Sequence, residues 1–170
     1  MSLVLCGCNE RRIELAFHEY PAITVQAAIK ISGVYAKHGI ELLFSYIELA
    51  EPIPYREGLN DNFAMTAGYS DRYRKFSDLN SIFILANTGP DTGGACGAVG
   101  GAPYVYFGHP TPGTVLSTAR KLAHELGHVC GLPHGDSPIS VMGPNINELD
   151  QVDYSYSEWQ VIQDCEALTL

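Results

Sequence analysis

Residues 124 to 134 read HELGHVCGLPH, and no other stretch of this 170-residue chain restricts its fold so narrowly. Positions i and i+4 of an α-helix lie nearly above one another, because a turn takes about 3.6 residues. His124 and His128 therefore share a helix face and can grip one ion. Gly131 follows; glycine tolerates positive φ, so the chain is expected to leave the helix sharply there and swing His134 back as a third ligand. Glu125 adjoins the first ligand without having to bind the metal, which suits a base acting on metal-bound water. Structural zinc sites are usually closed by four protein ligands, so three ligands beside a carboxylate point to a catalytic ion with an open position. With six His and 17 Gly in the chain, these five positions match by chance in roughly one chain in ten thousand.

The pattern His124-Glu125-x-x-His128-x-x-Gly131-x-x-His134 resembles the signature of the metzincin clan of zinc endopeptidases, which continues into a methionine-containing turn. Ser140-Val141-Met142-Gly143-Pro144 supplies the candidate turn. The resemblance implies that Met142 forms an apolar floor under the histidines and that one zinc ion is the cofactor. The His134-to-Met142 spacing looks like the matrixins, and the stretch GACGAVGG before the zinc helix looks more like the adamalysins. Gly135 matches neither of them cleanly, so the subfamily stays open. The same resemblance suggests an adamalysin-type tie between Cys96 and Cys165, if the chain is exported. A tyrosine ligand of the astacin or serralysin kind has no counterpart two residues past Met142, where Pro144 stands, although Tyr154 and Tyr156 lie a short loop further on.

The resemblance also implies an α/β (α+β) catalytic domain with a twisted mixed sheet, a zinc helix, a Met-turn and a C-terminal helix. One domain over residues 1–170 is expected, its upper part about 1–133 and its lower part about 134–170. The chemistry implied is peptide hydrolysis through a metal-bound water activated by Glu125. An extended substrate would pair with a sheet edge within Ala95 to Tyr106, which makes Gly97, Ala98 and Val99 substrate-binding candidates together with Pro144 and Asn145 beyond the turn. Two other readings stay open: a zinc amidase on a small or cell-wall substrate, and a non-catalytic binding domain on the same scaffold.

A net charge of −9 opposes phosphate backbones and anionic membranes, so nucleic acid is not an expected partner. No apolar run approaches the ~18 to 20 residues that a membrane span requires. Oligomeric state is not readable. Five cysteines, at 6, 8, 96, 130 and 165, cannot all pair within one chain. Cys130, two positions past His128, reads as a small core residue rather than a ligand. The order Leu5-Cys6-Gly7-Cys8 resembles the end of a lipoprotein signal and leans the localisation toward secreted or extracytoplasmic; the other reading is a plain β-segment.

Along the chain, residues 13–20 read as a strand ended by Pro21. Residues 23–37 read as a helix with Val25, Ala28, Ile29 and Tyr35 on its inner face and His38-Gly39 as its stop. Strands are expected over 41–49 and 81–86, and the last ones within 96–107. The zinc helix carries the stripe Val115, Ala119, Leu122, Leu126 and Val129. Ser155 with Glu158 forms a capping-box pattern that opens a final helix, with Trp159, Ile162, Cys165 and Leu168 along one face. Asp136 and Glu148 are candidates to orient the ligands, or else solvated loop charges.

Overall fold

A computed structural model describes residues 9–17, 22–48, 82–87, 94–99, 102–108, 114–144, 146, 149 and 151–165, with side chains described over 25–45 and in the ranges from 114 onward. Leu168, Glu148 and Asn145 lie outside the described residues.

The first strand, β1 (Asn9–Phe17), leads into helix α1 (Ala22–Ala36) and then β2 (Ile40–Glu48), which pairs with β1 in parallel. Two adjacent parallel strands need a crossover longer than any hairpin turn, and α1 supplies it. Beyond this unit come β3 (Ile82–Asn87), β4 (Gly94–Val99) and β5 (Ala102–Gly108). The sheet runs β2-β1-β3-β5-β4, parallel throughout except for β4, which lies antiparallel to β5 at one edge. Among the described residues two more helices follow, α2 (Val115–Val129) and α3 (Tyr156–Gln163).

Strand β1 starts four residues before the expected Ile13, at the polar run Asn9 to Arg12. The reason is the partner: β2 offers ladder positions from Ile40 onward, in register with Asn9, so polar residues with no apolar pattern still join the sheet. The remaining strands fall within about two residues of the expected bounds.

Helix α1 corrects one reading. Ala27, Ala28, Ile31 and Tyr35 are buried, whereas Ile29 is 66% exposed. The stripe 27, 31, 35 with 28 beside it faces inward, and at about 100° per residue position 29 lies roughly 150° from its middle. Gly39 ends the turn after α1 at φ +78°, as His38-Gly39 suggests.

Helix α2 packs along α1 and beside β4 and β5, while α1 lies beside β2. Ala119, Leu122 and Leu126 of the anticipated stripe are buried, and Val115 and Val129 pack partly buried against them. Thr114 caps the helix: its Oγ1 accepts from Ser117 N–H at 3.1 Å and its own N–H donates to Ser117 Oγ at 2.9 Å. A serine here plays the part that glutamate plays in the commoner capping box. At α3, Glu158 accepts from the Ser155 N–H at 2.6 Å, the expected reciprocal contact.

One buried cluster joins these elements. Leu132, Val141, Met142, Val152, Tyr154, Trp159, Ile162 and Cys165 are buried with the inner residues of α1, β2 and α2. The segment after the zinc helix is thus held by the same core as the sheet and helices, and loops that carry site residues are set by that core.

Candidate metal centre

The last turn of α2 is shaped by its exit. Gly131 has φ +83°, its N–H donates to His128 O at 2.9 Å, and Leu132 N–H donates to Gly127 O at 3.0 Å. This pair of bonds is a Schellman motif, in which a left-handed residue closes the helix and a buried apolar residue follows, here Leu132. The reversal brings His134 back to the helix face that carries His124 and His128.

The three imidazoles converge through one atom each. Nε2 of His128 lies 3.0 Å from Nε2 of His124 and 3.2 Å from that of His134, and the third side of the triangle is 3.3 Å. On the other side of two rings stand backbone carbonyls: His124 Nδ1 lies 2.7 Å from Val141 O and His128 Nδ1 lies 2.8 Å from Leu132 O. A carbonyl only accepts, so Nδ1 carries the proton in both rings and Nε2 presents a lone pair. Two lone pairs 3.0 Å apart cannot hydrogen-bond to one another; a cation between them satisfies both. Tetrahedral zinc with bonds of about 2.05 Å separates its nitrogen ligands by about 3.3 Å, close to the triangle seen. The donor set and its spacing fit zinc, and His124, His128 and His134 are the three-residue group able to hold a metal among the described residues.

Burial holds His124 below the usual imidazole range, opposed by its bond to Val141 and aided by the other two histidines. His128 is lowered for the same first reason, with the Leu132 bond opposing. Both therefore favour the neutral, ligating form at pH 7. Glu125 is only 3% exposed, its Oε2 is enclosed without a hydrogen-bond partner, and burial pushes its pKa up to about 7. A buried carboxyl titrating near neutrality beside a metal ligand is the kind of group that serves in proton transfer.

The segment 137–143 is tied to the site by backbone bonds. Ser140 N–H reaches Ser137 O, Gly143 N–H reaches Ser140 O, and Met142 N–H reaches Ser140 Oγ at 3.0 Å. Val141 receives His124 at its carbonyl and donates its N–H to Asp153 O, while Met142 O accepts from Gly135, the residue after the third ligand. Met142 is buried against Gly127, inside the zinc helix: a Cβ built on Gly127 would stand 2.5 Å from Met142 Sδ and 3.2 Å from Tyr154 Cε1.

Some of the residues singled out from the sequence meet here and others do not. The three histidines, Glu125, Gly131 and Met142 are brought together. Gly97, Ala98 and Val99 lie in β4, at one of the two edges of the described sheet, opposite Tyr104, Pro103 and Ala102. Pro144 is exposed just past the turn. Asp136 is exposed, and the ligands that are oriented from behind use backbone carbonyls. Cys130 packs partly buried against the core. Tyr154 is only 3% exposed, its hydroxyl donating to Ala123 O and accepting from Tyr35 at 2.7 Å. That places its phenol in the core and not on the metal. The sequence reading missed Gly127, Tyr35 and Tyr154 as supports of the site. A glycine inside the HExxH helix is the one signal that could have flagged a close approach.

No family model and no curated protein matches this chain. Solved structures do. An archaemetzincin from Methanopyrus kandleri is 15% identical, with a TM-score of 0.61 over 95% of this chain and 98% of that one. A zinc-dependent peptidase from Methanocorpusculum labreanum is 14% identical, with a TM-score of 0.63 over 89% of this chain and 99% of that one. The protein has the fold of zinc-dependent peptidases, with a three-histidine group placed to hold the metal.

Proposed function

We propose that the protein is a zinc-dependent endopeptidase of metzincin type. The observation that carries this reading is the convergence of three Nε2 atoms within 3.3 Å beside a buried carboxyl group. His124, His128 and His134 would hold the ion. When bound, zinc supplies Lewis acidity, polarising a scissile carbonyl and acidifying a water molecule. Glu125 takes the proton of the attacking water and returns it to the leaving amine. Its burial favours both halves of that transfer, since a carboxyl with a pKa of about 7 is neither too weak a base nor too weak an acid at neutral pH. His124 and His128 keep their protons at Nδ1 on carbonyl acceptors and so take no part in the transfer.

Met142 acts as the turn methionine, filling the space that Gly127 leaves on the zinc helix. An extended peptide adds to the sheet at β4, which is paired on one side only among the described strands. That edge favours an extended peptide over a small amide. Digestion of a mixed peptide pool by the zinc-loaded protein, read by mass spectrometry beside Glu125→Gln, tests the proposal. Internal cuts absent from the variant digest are expected; no cleavage by either protein would sink it.

A further inference from the structure

His124 and His128 are half-buried on a helix, whereas His134 is exposed on the loop beyond Gly131. A third ligand closes on an ion already held by two only as often as its loop presents the ring. The stiffness of that loop therefore sets how long the ion stays.

Gly135, the residue after His134, is enclosed from two sides. Its N–H donates to Met142 O at 2.8 Å. On the face where a side chain would grow stands a carboxylate from α3: a Cβ built on Gly135 would lie 3.2 Å from Glu158 Oε1. Gly39 and Gly131 are the described glycines with positive φ, so the backbone at Gly135 does not itself call for glycine. The space beside it does, because Glu158 fills it. That carboxylate is fixed in turn. Its Oε2 accepts from the Ser155 N–H at 2.6 Å, and since a carboxylate is planar, a held Oε2 restricts Oε1. Helix α3 is seated in the core by buried Trp159 and Ile162.

We infer that Glu158 is a positioning residue for the metal centre: by filling the space over Gly135 it holds the loop that presents His134. This rests on the reading of the three histidines as zinc ligands and does not require peptide cleavage. Helix α3 thus acts on the site through a neighbour's main chain.

The test measures zinc release to excess chelator by stopped flow, and hydrogen exchange of the Gly135 amide in the chelated protein by NMR. Groups directly behind a metal ligand are worth about 10–100-fold in affinity, so Glu158→Ala, acting one step further away, should speed zinc release roughly three- to tenfold and speed the amide exchange as well. Glu158→Gln keeps an acceptor for Ser155 and fills the same space, and should restore both values. Ile162→Val thins the packing of α3 without altering the contact with Gly135, and should leave both at parental values. Gly135→Ala should speed release in the parent and do less in the Glu158→Ala background, where the added methyl group finds room. Parental values in Glu158→Ala, an Ile162→Val protein that matches it, a Glu158→Gln protein no better than Glu158→Ala, or a Gly135→Ala effect equal in both backgrounds overturns the inference. A parent that binds no zinc removes the ligand reading by itself, and exchange in the metal-free protein still decides whether Glu158 holds the loop.

Discussion

Met142 Sδ and Gly127 are in contact so close that the helix has no room for a single added carbon at position 127. Gly127→Ala should therefore destabilise the protein by about 1–3 kcal/mol, the usual penalty of overpacking, even though alanine is the better helix former by about 1 kcal/mol. Gly33 in α1 is the control, because a Cβ there meets nothing within 4 Å. Gly33→Ala should stabilise by about 0.5–1 kcal/mol. Urea unfolding of the two variants reads both signs, and a Gly127→Ala variant as stable as the parent or more so would contradict the packing at Gly127.

Zinc binding should fail in steps. His134→Ala keeps the two helix ligands and should weaken zinc affinity sharply, and His128→Ala should weaken it as well, by removing a ligand already oriented by Leu132 O. Competition with a chromophoric chelator measures each. Undiminished affinity in His134→Ala would remove that residue from the site.

Glu125→Gln separates holding the metal from using it. Zinc content should be unchanged and peptide hydrolysis should fall by roughly 10²–10⁴-fold, the range for losing a general base. Parental cleavage rates in this variant would falsify the role given to Glu125.

How much of this was legible follows from which contacts leave a trace in sequence. The ligands are legible because 3.6-residue periodicity and one left-handed glycine fix their geometry without help from the rest of the fold. The elements around Ile40 to Glu48 and Ile82 to Asn87 are legible from apolar runs. The order β2-β1-β3-β5-β4 is not, since strand pairing joins segments that share no local pattern. Nor are Val141 O and Leu132 O, the acceptors behind two ligands: every residue has a carbonyl, so nothing in the side chains marks these two. Tyr35 and Tyr154 meet across 119 positions. Cys96, offered as the partner of Cys165, falls outside the side chains described.

The tyrosine pair should govern alkaline stability. Burial raises both phenols, so the folded state holds their protons more tightly than the unfolded chain, in which tyrosine titrates near ~10. Their contribution is fully present below pH ~10 and is lost as pH climbs above it. Tyr154→Phe deletes the bond to Ala123 O and strips Tyr35 of its acceptor, so it should cost about 1–3 kcal/mol; Tyr35→Phe removes one donor only and should cost about 0.5–1.5 kcal/mol. Thermal melts of both variants and the parent, at pH 7 and near pH 10.5, check the order and the slope.

On the acid side two opposed contributions meet in the metal-free protein: the buried Glu125, raised to about 7, adds stability as pH falls toward its unfolded value, and the two helix histidines subtract it. Burial lowers His124 and His128, so the unfolded chain takes up protons more readily than the folded one once pH drops below ~6.5. The stability they lend is present above that pH and is lost as pH falls through their folded values. Denaturant midpoints of the chelated protein between pH 5 and 7.5, compared with those of a His124→Gln and His128→Gln double variant, should show less loss of stability on acidification in the variant.

The carbonyls of Val141 and Leu132 have one more consequence. A ligand steadied by an aspartate can lose its support to a single codon change, whereas an acceptor built into the main chain is present whatever side chain stands there. Vulnerability moves instead to whatever keeps those two peptide groups in place: Gly131, whose left-handed bend delivers Leu132, and the Asp153 carbonyl, which fixes Val141 through its N–H. Asp153 also takes Trp159 Nε1 and the Tyr154 N–H on its carboxylate, each at 2.8 Å. Substitutions that loosen the imidazoles are therefore to be sought in the chain's corners, at residues that never approach the metal.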